Sequence, residues 1–368
     1  MKIAILFSGI GYNYDKPLLY YAGKICSHYQ YESVRVAYSS LPKNIAEAFP
    51  EAYAQAEAYL EKIQWNEYDD ILFISKSIGT AVAAAYAQNH KIACRNIYYT
   101  PLAQTFDFAP QAGIVFHGTS DPWADTAVIE EKCRQWRLPL HIIDNTNHSL
   151  ELCANHCTVL QNIRIVEDVM KLSEQYIAHG IFYRTLQADE ICRELFRDFV
   201  RHQNVEKCLR KENGAWVVQD APFVDDWSES DYQFLIDCLK NTLRTGGLVY
   251  VAFCAQAHAE DVCRRNGACT LKGFVSVEST LFGGAQGYLD LSSIHVSEDM
   301  RGKGIGKTLF HTAKDWARKK GAKKLYISSH SAIETQAFYK AMGCVDAQVY
   351  DQHHVAQEPY DRQLECLL

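Results

Sequence analysis

The stretch Arg301-Gly302-Lys303-Gly304-Ile305-Gly306 decides how the second half of this chain folds. It follows a short apolar segment, Leu289 to Val296, and opens into a run in which Ile305, Leu309, Ala313, Trp316 and Ala317 share one face at helical spacing. The pattern predicts a strand, a glycine turn and a helix start. The first N–H groups of a helix have no partner within it, and the aligned peptide dipoles leave partial positive charge there, so an anion is held without any specialised side chain. Glycine removes the Cβ that would keep a phosphate away from those N–H groups. Arg301, Lys303 and Lys307 add positive charge around the same point.

Spacing separates the phosphate-binding motifs that such a turn could represent. A Walker loop needs GxxxxGK[ST], and the run here is too compact despite Lys307-Thr308; a dinucleotide fingerprint needs GxGxxG, and the third glycine is misplaced. What fits is RxxGxG, and on these residues the sequence resembles the GNAT superfamily of acyl-CoA-dependent N-acetyltransferases. The resemblance implies that Arg301, Gly302, Lys303, Gly304, Ile305, Gly306 and Lys307 cradle the pyrophosphate of acetyl-CoA or another acyl-CoA, with no metal. It also implies that the main chain of Ile294, His295 and Val296 runs beside the pantetheine arm. Further on, Ala337-Phe338-Tyr339-Lys340-Ala341-Met342-Gly343 resembles the family's FYxxxG segment, which makes Tyr339 the group that protonates the departing thiolate. One departure stands out: the family often has Asn seven residues before that tyrosine, and here the position is Ala332.

A chain of 368 residues with 48% hydrophobic content is long enough for two domains with sizeable cores. Its net charge of -7 argues against nucleic acid as the main partner, because neutralising phosphates takes an excess of Lys and Arg. The 13 cysteines are odd in number and lack a framework spacing, which points to a reducing, cytoplasmic setting. Cys153 and Cys157, with His148 and His156 nearby, read as thiols of an apolar helix rather than metal ligands. Met1 to Phe7 reads as a buried first strand, not a signal peptide. No apolar run approaches the roughly 18 to 20 residues that span a bilayer, so no membrane association is expected.

From Lys2 to about Tyr176, apolar strand-like segments alternate with amphipathic helical ones. The strands fall at Ile3 to Phe7, Val34 to Tyr38, Ile71 to Ser75, Asn96 to Tyr99, Gly113 to His117 and Leu140 to Asp144. Helices are expected from Asp15-Pro17 to His28, from Asn44 to Ile63, from Ile78, and from Asp125 to Trp136. Fully apolar strands between such helices predict a parallel sheet covered on both faces. Within it, Ser75-Lys76-Ser77-Ile78-Gly79 joins a strand directly to a helix and resembles the nucleophile elbow of α/β-hydrolases, with Ser75 in place of the first glycine. His117-Gly118-Thr119-Ser120-Asp121 ends a later strand, and Asn147-His148-Ser149 follows the last one, so Ser77, Asp121 and His148 stand in the order of that family's triad, with Asp125 as an alternative acid. A serine hydroxyl becomes nucleophilic when an imidazole takes its proton, and a carboxylate fixes the imidazole tautomer. The oxyanion would be met by the N–H of Ile78 and one from the loop after the first strand, Ile10 or Gly11. With little room for a lid between Thr100 and Gln111, an open site for an ester or thioester is expected.

Near Ala178-His179-Gly180 the pattern resets, which places a hydrolase-like domain at 1–178 and an acetyltransferase-like mixed α/β domain at 179–368. In the second, Ala188 to His202 reads as a helix and Asn213 to Trp227 as an irregular aromatic loop on the acceptor side. Leu248 to Cys254, Gly273 to Glu278 and Tyr288 to Val296 read as antiparallel strands. Acyl transfer to an amine needs a base, because an amine with a pKa of about 10.4 is protonated at neutrality. Glu278 and Asp290 are the candidates, with His295 discounted for lying along the cofactor's path. The acceptor would be a small-molecule or peptide amine. Three functions stay open: amine acylation beside a serine hydrolase, ester hydrolysis with the second domain only sensing CoA, or a non-catalytic first domain serving interaction, for instance in a homodimer.

Overall fold

The computed structural model describes residues 1–42, 44–110, 112–152, 159–255 and 269–368; Cys153, His156 and Cys157 lie outside them. Two compact units divide the chain, one formed by Met1–Phe182 with Cys254–Cys269 and the other by Tyr183–Phe253 with Thr270–Leu368.

In the first unit, β1 (Lys2–Phe7), β2 (Glu32–Val36), β3 (Asp70–Lys76), β4 (Arg95–Tyr99), β5 (Gly113–Gly118) and β6 (Leu140–Ile143) form a parallel sheet in the order β2-β1-β3-β4-β5-β6. Side chains alternate across a strand, so β1 feeds two cores. Ala4 and Leu6 pack with Leu18, Leu19 and Ala22 of α1 (Pro17–His28) and with Val169 and Tyr176 of α5 (Val159–His179). Ile3, Ile5 and Phe7 face Ala52 and Ala56 of α2 (Ile45–Leu60) and Val82 and Tyr86 of α3 (Ile78–Asn89). The fully apolar strands are thus explained by helices on both sides, and α4 (Thr126–Trp136) covers β5 through Ile129 and Cys133. Lys16 rather than Asp15 occupies the cap of α1, and Pro17, whose missing N–H costs nothing there, starts the helix. Strand order reverses between β1 and β3, which opens a crevice at their C-terminal ends.

The second unit contains two four-stranded sheets, β13-β11-β10-β7 and β12-β14-β16-β15, built from β7 (Ile181–Thr185), β10 (Leu248–Ala255), β11 (Cys269–Val277), β12 (Tyr288–Asp290), β13 (Ser293–Val296), β14 (Lys324–Ser329), β15 (Val345–Asp346) and β16 (Arg362–Leu367). The segment expected as one strand from Tyr288 to Val296 is therefore split. Leu291 N–H donates to Tyr326 O at 2.9 Å, while Ser292 N–H donates to Ser276 O at 3.1 Å, so consecutive residues bond to opposite neighbours. Before this point β12 runs parallel to β14; after it β13 runs antiparallel to β11 and ends its sheet as an open edge.

Two further expectations are corrected. Ala188 to His202 forms two short 3₁₀ turns, Ala188–Glu190 and Arg193–Phe196, because Glu190 accepts from Gln187 N–H and from the Arg184 guanidinium, which closes the first turn, and Cys192 is extended. Asn213 to Trp227 is no loop. β8 (His202–Glu212) and β9 (Ala215–Asp226) make a hairpin whose turn, Asn213-Gly214, has φ of 49° and 84°. Asn-Gly adopts these positive angles at low cost, and their twist matches that of a strand pair. Among the described residues the unit also carries α6 (Glu229–Arg244), α7 (Ile305–Lys319), α8 (Ile333–Ala341) and a short α9 (Gln352–Gln357) before β16.

Candidate active sites

In the first unit, Ser77 stands between β3 and α3 with φ of 58° and ψ of -127°, a region costly for a residue with a Cβ. The turn is possible because Gly79 lets α3 start against β1: a Cβ there would stand 2.8 Å from Phe7 O. Ser77 Oγ lies 2.8 Å from His148 Nε2, and His148 Nδ1 lies 2.7 Å from Asp121 Oδ2. Nδ1–H therefore donates to the carboxylate and the Nε2 lone pair faces the hydroxyl. Asp121 Oδ1 accepts from Trp123 N–H at 2.9 Å, and Thr100 Oγ1 donates to His148 O at 3.0 Å, which fixes both partners. Burial alone would raise the Asp121 carboxyl, but the bonds from His148 and Trp123 outweigh it and hold its pKa below the usual value. His148 is held below its usual value by burial, with Asp121 opposing and Lys76 reinforcing, so the imidazole is neutral at pH 7. Asp125 takes another role: it caps α4, accepting from Ala127 and Val128 N–H.

The loop after β1 presses on the same turn. A Cβ on Gly9 would come within 2.9 Å of Ser77 Cβ. Gly9 and Tyr12 exchange main-chain bonds at 3.0 and 3.3 Å, which leaves Ile10 and Gly11 at the tip. Among the described residues no main-chain acceptor takes the N–H of Ile10, Gly11 or Ile78. Sequence reasoning missed two neighbours. Lys76 is 1% exposed, its Nζ 4.9 Å from the centre of the Tyr12 ring, and burial pulls its pKa down to about 7 against the opposing pull of Asp121. Trp123 is 59% exposed with its ring 6.4 Å from that of His148. A lysine inside an otherwise apolar strand end was the available signal for the first.

In the second unit, the glycine turn lies between β13 and α7. Gly302 and Gly304 have φ of 78° and 80°, and Gly304 caps the helix without a side chain. Among the described residues no main-chain acceptor takes the N–H of Gly304, Ile305 or Gly306. Those amides fit a diphosphate. The remaining residues divide. Lys307 is exposed, whereas Arg301 spends its guanidinium on His202 O at 2.8 Å and Val296 O at 3.4 Å, and Lys303 Nζ lies 3.4 Å from Met300 Sδ. Gly306 serves packing: a Cβ there would come 3.2 Å from the Phe338 ring, so α7 and α8 approach closely because it lacks one.

Antiparallel pairs alternate between bonded and non-bonded positions. Ser297 N–H donates to Lys272 O, so in this register His295 bonds Phe274, while Ile294 and Val296 turn their main-chain groups to the open edge. Of the three residues expected along the cofactor arm, His295 is thus committed elsewhere. Its ring packs on Trp227 and Phe274, and burial, with Arg201 and Arg301 nearby, pushes its pKa down to about 3. Ala332 stands at the N-cap of α8 without a side-chain bond to the first turn, and its own N–H donates to His330 Nδ1 at 3.1 Å, so no side chain at this position replaces the family's Asn.

Tyr339 is 6% exposed, and its hydroxyl is raised by burial and then by Cys344, Asp361 and Asp290. Asp290 is raised to about 7 by burial, with Glu278 and Asp351 adding repulsion. Among the described residues its Oδ1 is buried without a hydrogen-bond partner, and Oδ2 lies 3.5 Å from His354 Nε2. Glu278 instead accepts a bond from the Thr242 hydroxyl. Two residues were not expected from the sequence: His354, whose pKa burial lowers, and Asp361, raised to about 6 by burial and then Glu358. They come from the polar stretch before β16, which carries no periodic signal.

These features define two classes on one chain: an α/β-hydrolase-like parallel sheet, then a GNAT-like mixed α/β region. Residues 216–344 match the model of the Acetyltransferase (GNAT) family. Among solved structures, nourseothricin acetyltransferase is 19% identical, with 50% of this chain and 95% of that one covered and a TM-score of 0.34. The PaiA N-acetyltransferase of Thermoplasma acidophilum, in complex with coenzyme A, is 18% identical over 51% and 99% of the two chains, with a TM-score of 0.32. Est1E of Butyrivibrio proteoclasticus with bound ferulic acid is 12% identical over 46% and 89%, with a TM-score of 0.34. No curated protein matches the chain. Among the described residues, no helix is long and apolar enough to cross a membrane.

Proposed function

We propose that the second unit is an acyl-CoA-dependent N-acyltransferase in which an amine attacks the thioester directly. The observation that carries this is the set of unclaimed amides at Gly304, Ile305 and Gly306, next to a strand that leaves one sheet at Leu291 and Ser292 to expose its edge. Acyl-CoA supplies the activated carbonyl. The first-turn amides and Lys307 hold the diphosphate, and the main chain of Ile294 and Val296 pairs with the arm's amides. Asp290 takes the proton from the incoming ammonium, and Tyr339 gives one to the departing thiolate. The carboxylates grouped near Tyr339, Asp290 and Asp361 among them, favour a cationic small-molecule or peptide amine. A cytoplasmic setting rests on the sequence, whose 13 cysteines are odd in number and lack a framework spacing.

Calorimetry with acetyl-CoA, followed by a screen of amines for thiol release, tests this reading; no binding at millimolar acetyl-CoA ends it. Tyr339→Phe is expected to lower kcat for thiol release by about 10²-fold with little change in acetyl-CoA affinity, since general-acid help acts in the transition state. An unchanged kcat would remove Tyr339 from the mechanism.

A second reading concerns the first unit and rests on the Ser77–His148–Asp121 hydrogen-bonded chain: it forms the triad of a serine hydrolase acting on an ester or thioester, with Ile78 and Ile10 or Gly11 as oxyanion donors. Lys76 tunes this site. A charged Lys76 disfavours protonation of His148, so Lys76→Met, which keeps the volume, is expected to move the acid limb of kcat/KM upward by up to about one pH unit. A limb that stays in place would leave Lys76 a packing residue.

A further inference from the structure

Cys344 and Cys366 face each other across the last strand pair of the second unit. The β15/β16 register pairs Val345 with Glu365 and Asp346 with Leu364, and Ala347 N–H donates to Gln363 O at 2.9 Å. Pairs alternate, so 347/363 and 345/365 are bonded positions, and 344/366 is the next non-bonded one. There Cα atoms lie about 4.5 Å apart and the side chains are closest. The Cys344 N–H agrees with this assignment, turning away from β16 to donate to Tyr339 O at 3.0 Å. That Cα spacing falls inside the range of about 4.4–6.8 Å a disulfide requires. Cys366 Sγ lies 3.7 Å from Met342 O, two residues before Cys344, and Lys314 of α7 is a charged neighbour of both thiols.

We propose that Cys344 and Cys366 are a reversible redox modification site, oxidised by a small peroxide to a cross-strand disulfide that ties the end of the Tyr339 helix to the C-terminal strand. The neighbouring Cys344 thiol first, and then the Lys314 ammonium, pull the Cys366 pKa down to about 6 against the opposing effect of burial, and a thiolate is the form that reacts. Cys366 sulfur attacks one oxygen of hydrogen peroxide; the O–O bond breaks and hydroxide leaves, giving a sulfenic acid. The Cys344 thiol then attacks that sulfur, the S–S bond forms, and the S–OH bond breaks; the Cys344 proton and the hydroxyl leave as water. Two thiols and one peroxide become one disulfide and two waters. Cys344 is 8% and Cys366 1% exposed, so access is through opening of β15, an edge strand held by β16 alone.

The test treats the full chain with hydrogen peroxide, alkylates it under denaturing conditions without reductant, and maps the peptides by mass spectrometry. The expected result is a linked peptide containing both residues, two hydrogens lighter than the sum of the two thiol peptides and lost on dithiothreitol, with a rise of several degrees in Tm that the same reagent reverses. Cys344→Ser and Cys366→Ser should each abolish that rise. Recovery of Cys344 and Cys366 as separately alkylated peptides from treated wild-type protein would overturn the proposal, whatever the variants do. So would an equal Tm rise in either serine variant.

Discussion

Ser77→Ala is expected to abolish labelling of the first unit by a fluorophosphonate and to lower ester hydrolysis by about 10⁴- to 10⁶-fold in kcat. The size follows from the geometry. Ser77 Oγ is the atom that His148 Nε2 addresses at 2.8 Å, and its φ of 58° is tolerated because Gly79 and Gly9 leave room on both sides of the turn. Alanine keeps that backbone and the His148–Asp121 pair, so only the nucleophile is lost. Residual hydrolysis from oxyanion donors at Ile78 and the Ile10-Gly11 turn should persist at a low level. Thiol release with an amine acceptor, carried by other residues, should be unaffected. If wild-type protein neither labels nor hydrolyses a panel of activated esters and thioesters, the hydrogen-bonded chain is a structural feature and the first unit acts as an interaction module.

The readable and unreadable parts of the sequence differ for physical reasons. Ser77, Asp121 and His148 could be read because a parallel sheet sends its strand ends to one edge, and three residue types in order at strand ends are brought together by that topology alone. The turn before α7 could be read because Gly302 and Gly304 mark backbone angles that other residues avoid. The sheet switch at Leu291 and Ser292 could not, since Tyr288 to Val296 keeps one apolar pattern while its partners change from Tyr326 to Ser276. The β8–β9 hairpin had its turn in plain view at Asn213-Gly214, but Asp220, Pro222 and Asp225 break the alternation expected of a strand and made β9 read as a loop. Sequence pattern also could not tell why each glycine is needed: at Gly306 the missing Cβ makes room for the Phe338 ring, while its N–H stays free of main-chain acceptors among the described residues. Burial is likewise invisible in the sequence, and it is burial that separates Asp290 from Glu278.

Asp290→Asn is expected to lower kcat for amine acylation by about 10²- to 10⁴-fold while leaving acetyl-CoA binding intact. A protonated acceptor of pKa about 10.4 requires roughly 4 to 5 kcal/mol to free its lone pair at neutrality, and a base with a pKa near 7 is matched to that task. Asp290 is raised to about 7 by burial, has an unpartnered Oδ1, and has neutral His354 3.5 Å from Oδ2 to pass the proton onward. Wild-type rates should fall as pH drops through about 7, and the Asn variant should lack that limb. Stability gives the control. A carboxyl whose folded pKa is raised keeps its proton more firmly in the native state, so its contribution is fully present below the unfolded value of 3.8 and is lost as pH rises through about 7. The amide carries no charge to bury, so above pH 7 the variant should melt at the same temperature as wild type or higher while acylating far more slowly. Loss of activity with a lowered Tm would point to damage rather than to a missing base. Full activity with an unchanged pH limb would transfer the role to Glu278 or to a water it holds.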